Sequence, residues 1–206
     1  MNSFAPPYSL QPMVDVPGFA WFKEYFTSEE LDNIVDLVPD SDLTTARVRM
    51  GWDYQTKSQQ DLIESPVRNS KIKFLNPSDP SQKWVFEKLT ELVNHANDLY
   101  FRFDLDEIHL LQFTTYGVGE FYKLHADSGI TSYNRYIKLS FSMQLSHPED
   151  YEGGDLVVLH SHEKEIASRE RGVIAFYPSN TLHEVTKVTK GVRKSLVGLV
   201  SGPRWR

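Results

Sequence analysis

Tyr136–Leu145 reads "YIKLSFSMQL". Its odd positions, Ile137, Leu139, Phe141, Met143 and Leu145, are all apolar, and its even positions, Tyr136, Lys138, Ser140, Ser142 and Gln144, can all form hydrogen bonds. A period of two marks a strand whose side chains alternate between two faces. One face therefore packs on something apolar. The other either meets solvent, the usual cause of alternation, or lines a polar cavity inside a sheet that rolls up.

From about residue 101 the chain keeps this texture. "FRFDL", "IHLLQFTTY", "EFYKLHAD", "DLVVLH", "KEIAS", "GVIAFYP" and "SLVGLV" are short strand-like runs separated by glycine, proline, asparagine or charged turns. Many short strands with turn signals predict a β-sandwich or a closed barrel. Upstream the period changes. "FTSEELDNIVDLV" places Thr27 three residues before Glu30, a capping box, and follows it with Leu31, Ile34, Val35 and Val38 at helical spacing. "DPSQKWVFEKLTELVNHANDLY" offers Asp79 as a cap, Pro80 at the first helical position and Gln82 to complete a second box; its apolar stripe is Trp84, Leu89, Leu92, Val93, Ala96 and Leu99. Between the two helices, short strands are expected at "TTARVRM" and "SKIKFL". Two helices ahead of such a run would cover one sheet.

With 206 residues and no linker, the expectation is one domain over residues 1–206. No stretch reaches the ~20 apolar residues of a membrane span, and the first residues, "MNSFAPPYSLQPM", have neither the basic start nor the apolar run of a secretory signal. Cysteine is absent, which excludes disulfides, zinc–thiolate sites and a cysteine nucleophile, and the chain reads as cytoplasmic. A net charge of −6 argues against a nucleic-acid partner. The local exception, Lys187, Lys190, Arg193, Lys194, Arg204 and Arg206, reads mainly as a solvated edge.

His125 and Asp127 stand two apart in "YGVGEFYKLHADSG", so on a strand they share a side. Two imidazoles and one carboxylate on one face make the facial site of non-haem iron, with open positions left over. The pair lacks one ligand. Of the seven histidines, His183 fits best, after the strand and proline turn of "GVIAFYPSNTL". His160 and His162 compete but flank the charged turn "SHEKE", where exposed hairpin residues are the simpler reading; His95, His109 and His147 read as structural or surface residues.

"YGVGEFYKLHAD", "RYIKLSFSMQLSHPEDYEGGDL" and "HEVTKVTKGVRKS", with "VRNSKIKFL" upstream, resemble in order the motifs of the iron(II)- and 2-oxoglutarate-dependent dioxygenases, in particular the prolyl 4-hydroxylase-like group that includes the PKHD-type hydroxylases. The resemblance spans about Val67 to Val200. It implies a mainly β fold with flanking helices, a double-stranded β-helix or jelly roll with both helices packed on the larger sheet. It implies that His125, Asp127 and His183 are the metal triad, that Arg193 holds the distal carboxylate of 2-oxoglutarate, and that Tyr116 contacts the same cosubstrate. Gln144 sits where relatives place another cosubstrate-contacting side chain, more often tyrosine. Iron(II), 2-oxoglutarate, dioxygen and, as reductant, ascorbate follow as cofactors. Hydroxylation of an unactivated C–H bond follows as the reaction, because halogenating relatives have a small residue where this chain has Asp127. The implied substrate is a prolyl residue in a peptide, a free amino acid or another small molecule. Arg68, Ser70, Lys73 and Arg135 are candidates for the cleft border. The rival reading is a non-catalytic jelly-roll module that binds metal or a partner. Oligomeric state is not legible.

Overall fold

In the computed structural model, which describes residues 18–49, 52–53, 58–59, 62–63, 66–128, 135–160 and 163–203, the strand Ile137–Gln144 is buried along its whole length. It lies between Ile174–Pro178 and Arg193–Ser201 in a seven-stranded antiparallel sheet. The order is Ala20–Phe22, Ile174–Pro178, Ile137–Gln144, Arg193–Ser201, Glu107–Tyr116, Lys71–Phe74, Thr44–Thr45. Both faces of the alternation are inside. Leu139, Phe141, Met143 and Leu145 join one apolar cluster with Leu31, Ile34, Leu89 and Leu92 of the helices. Ser140, Ser142 and Gln144 are buried on the opposite side, so the polar face lines the interior of a roll.

That interior is closed by a five-stranded antiparallel sheet, ordered Glu163–Ile166, Leu156–His160, His183–Val185, Phe121–His125, Arg68–Asn69. A second apolar cluster, with Tyr116, Ala175 and Tyr177 from the larger sheet and Leu156, Val158 and Val185 from the smaller, fills the space between them. A two-stranded ladder, Tyr151–Gly153 with Val188–Gly191, adjoins this pair of sheets. The arrangement is a jelly roll with its helices on the larger sheet.

Helix α1, Ser28–Asp36, starts with the expected box: Thr27 Oγ1 accepts from the Glu30 amide, and Glu30 accepts from the Thr27 amide. Glu30 also pairs with Lys88 of the second helix, α2, Lys83–Ala96. Here the expected box at Asp79 shifts. Asp79 accepts from Ser81 and from the Gln82 side-chain nitrogen, while the Gln82 side-chain Oε1 accepts from the Asn76 amide, so residues 79–82 close a turn and the helix begins after it. The stripe shifts too. Val85 is fully buried and Trp84 only partly, and a π-helical turn at Asn97–Phe101 rotates Leu99 into solvent and brings Phe101 under the core.

"FRFDL" is not a strand. The Asn97 side chain bonds both the amide and the carbonyl of Phe103, leaving them unavailable to a ladder. Conversely, His183–Val185 and Val188–Gly191 are strands that no apolar alternation announced. The expected strand at "TTARVRM" resolves into two pieces, Thr44–Thr45 and Val48–Arg49, and Met50 lies outside the described residues, as do the first seventeen residues and Arg204 and Arg206.

The sheet tolerates little in its middle. A Cβ at Gly198 would collide with the Phe141 ring across the ladder. Gly198→Ala is therefore expected to cost about 1–3 kcal/mol, the usual range for overpacking a core. Chemical denaturation would read this as a lowered midpoint at unchanged slope.

Candidate active site

His125 ends the strand Phe121–His125, and its register partner on the neighbouring strand is His183, the first residue of His183–Val185. The pairing brings both rings together, with centres 4.2 Å apart. Asp127 lies two residues past the strand end rather than on it. Its carboxylate nevertheless meets both rings: Oδ1 is 3.6 Å from His125 Nε2 and Oδ2 is 3.6 Å from His183 Nε2. The three candidate ligand atoms all lie within 4.8 Å of one another.

The imidazoles are turned the right way for this. His125 Nδ1 is 2.8 Å from the Lys123 carbonyl oxygen and His183 Nδ1 is 3.0 Å from that of Thr181. A carbonyl can only accept, so each Nδ1 carries the proton and each Nε2 points its lone pair at Asp127. An outer partner of this kind fixes tautomer and ring orientation in metal-binding histidines. Burial pushes the Asp127 carboxyl up, but the charge that His183 carries when protonated, helped by His125 and the Ser140 hydroxyl, outweighs it and holds it at about 2. Burial lowers the proton affinity of His183, against the pull of Asp127. At neutral pH the cluster therefore offers one carboxylate and a neutral imidazole at His183, a donor set that suits borderline iron(II). These residues could hold that ion.

Arg193 is buried inside the roll. It opens the strand Arg193–Ser201, opposite Tyr116 in register, with its guanidinium carbon 5.6 Å from the Tyr116 ring centre and Nη1 donating to Ser195 Oγ at 3.1 Å. Among the described members of the expected solvated edge, it is the one that is buried; Lys190 pairs with Glu152 at the surface. Burial raises the Tyr116 hydroxyl, against the opposing pull of the Arg68 and Arg193 charges. Gln144 is buried in the same interior and donates to the Tyr151 hydroxyl at 3.0 Å. Arg193 also acts on Tyr151 electrostatically and by hydrogen bonding.

Sequence reasoning missed three tyrosines. Tyr122 stacks on His125, with ring centres 3.5 Å apart. The Tyr177 ring centre is 4.7 Å from that of His183. Tyr151 reaches in from outside the long strands. Only Tyr122 carried a signal, its place three residues before His125. Of the candidate border residues, Arg68 lies over the Tyr122 ring at 4.6 Å and is braced by Ser70. Lys73 instead pairs with Asp42, and Arg135 is exposed. His95 packs edge-on to Phe22, His109 meets Tyr136, and His147 lies beside Arg171, all outside the cluster. His160 ends a hairpin strand and His162 lies outside the described residues.

The fold matches solved structures of prolyl hydroxylases. A Pseudomonas putida prolyl-4-hydroxylase superposes with a TM-score of 0.69 at 16% identity, covering 90% of this chain and 93% of that one. A Trichoplax adhaerens prolyl hydroxylase, solved with a hypoxia inducible factor peptide fragment, gives 0.68 at 14% identity, covering 90% and 84%. In sequence, a PKHD-type hydroxylase of Rippkaea orientalis is 29% identical over 183 residues, 86% of this chain and 75% of that protein. One of Parvibaculum lavamentivorans is 41% identical over 85 residues, 41% of this chain and 38% of its own. The model of the 2OG-Fe(II) oxygenase superfamily matches residues 111–201, which contain all three members of the cluster and Arg193. Residues 111–201 are thus similar to the 2OG-Fe(II) oxygenase superfamily, a name that carries 2-oxoglutarate and iron(II).

Among the described residues, no helix is long and apolar enough to cross a membrane.

Proposed function

We propose that the chain works as a single oxygenase domain that hydroxylates an unactivated C–H bond of a prolyl residue in a peptide or of a free amino acid. One 2-oxoglutarate and one dioxygen would be consumed, one oxygen atom ending in succinate and the other in the new hydroxyl, with carbon dioxide released. The observation that carries this reading is the convergence of His125, Asp127 and His183, with both Nδ1 atoms tied back to carbonyls. These three side chains would hold iron(II), which when bound supplies the activation of dioxygen. Arg193 would grip the far carboxylate of 2-oxoglutarate through the planar fork that suits it to bidentate pairing. Tyr116, opposite Arg193 in register, and Gln144, which donates to the Tyr151 hydroxyl, would contact the same cosubstrate. The prolyl or amino-acid substrate is supported by the names of the relatives and by the jelly roll shared with prolyl hydroxylases.

The test is succinate release with iron(II), ascorbate and 2-oxoglutarate across prolyl peptides, free amino acids and alkylated nucleotides. Stimulation by prolyl peptides or amino acids, with a matching +16 Da product, is the expected result. Stimulation by nucleotides alone would overturn the substrate class. No succinate under any condition would leave a non-catalytic metal-binding module.

A further inference from the structure

His183 is walled in by the core, its side chain only 6% exposed, whereas that of His125 is 17% exposed. The hydrogen bond from His125 Nδ1 to Lys123 sets its tautomer but comes from its own strand, two residues back. What lies flat against the ring is Tyr122, with centres 3.5 Å apart and planes within 16°. That contact is not the default of a strand, where residues three apart face opposite sides. Tyr122 pairs with Val185 and His125 with His183, three steps on one strand against two on the other. The bulge this creates turns both rings to the same side, the kind of re-aiming for which bulges are used beside functional sites. Behind the tyrosine stands Arg68, its direct register partner on the edge strand. Its Nε donates to the fully buried Ser70 hydroxyl at 2.9 Å, and its guanidinium carbon lies 4.6 Å from the Tyr122 ring centre, within cation–π range.

We infer that Tyr122, backed by Arg68, is a positioning residue that fixes the ring plane of His125 for metal binding. This rests on the triad reading above. The bulge supplies the flat contact, and Arg68, anchored on Ser70, keeps the tyrosine from turning away. A leucine would fill the volume without presenting a plane.

The experiment titrates Mn(II) into the full chain and follows the free-ion EPR signal, with thermal melting as a folding control. The expected result is metal binding about 10-fold weaker in Tyr122→Leu, as for loss of an outer partner of a ligand, and near wild type in Tyr122→Phe. Arg68→Gln should weaken it about 3-fold, the size of a modest cation–π contact. Should Tyr122→Leu not fold, Arg68→Gln decides alone. A folded Tyr122→Leu or Arg68→Gln with unchanged Mn(II) affinity overturns the inference, including the case where only the KM for the oxidised substrate rises. If His125→Ala binds Mn(II) as well as wild type, the triad reading itself has failed, a result the tyrosine variants cannot produce.

Discussion

Asp127→Ala is expected to abolish both iron(II) binding and 2-oxoglutarate-driven succinate release, by at least about 100-fold, since even the outer partners of a metal ligand are worth about 10- to 100-fold. Asp127 is the only carboxylate of the cluster and the group that faces both Nε2 atoms. Without it two imidazoles remain, which do not make a facial site. Asp127→Asn keeps the volume and separates loss of the ligand from loss of packing. Metal analysis after anaerobic loading and melting of the apo-protein read the two effects independently. The pH dependence follows from the same groups. The Asp127 carboxyl stays ionised down to about 2, so acid does not remove the metal through it. It does so through His183, which burial makes surrender to protonation only below the ordinary histidine value. Metal affinity should therefore hold at neutral pH and fall on acidification below about 6.5. Full iron-dependent succinate release by Asp127→Ala would sink the triad.

How far the sequence reached depends on what kind of signal each element left. The strand Ile137–Gln144 was readable because its two faces meet two different interiors, and alternation survives in composition. What alternation could not say was that the polar face is also buried, since a solvent face and a wet cavity ask for the same side chains. Helix α1 was readable from its caps, which are local. The second helix was misread at both ends for non-local reasons: Gln82 prefers the Asn76 amide, and a π turn resets which residues face the sheet. His183–Val185 was invisible as a strand because three residues show no period, yet His183 itself was found from its place after the strand and proline turn of "GVIAFYPSNTL". His125 and Asp127 do meet, though not as expected on one strand face. The strand stops at His125, and the bulge before it and the turn after it do the aiming. Tyr151 and Tyr177 were missed because their approach to the site exists only once the sheets close.

Arg193→Ala is expected to raise the KM for 2-oxoglutarate about 10- to 100-fold while leaving Mn(II) affinity unchanged. A charge-assisted hydrogen bond is worth roughly 1.5–3 kcal/mol, and each 1.4 kcal/mol is tenfold in affinity. The residue is buried, its guanidinium donates to Ser195 Oγ at 3.1 Å and acts on Tyr151, and it faces Tyr116 across the ladder. A buried guanidinium is costly unless it is paired, and the partner proposed for it is the far carboxylate of 2-oxoglutarate. Arg193→Lys keeps the charge but loses the planar fork, so it should recover only part of the loss. The backbone nearby supplies an independent check. Gly154 has φ +64°, and a Cβ there would press on the Val188 side chain and lie 3.2 Å from Arg193 Cδ. Gly154→Ala should therefore raise the same KM without removing any charge. A solvent-exposed ion pair would be worth little, so an unchanged KM in Arg193→Ala would place the cosubstrate carboxylate elsewhere and leave Arg193 as a purely structural cation.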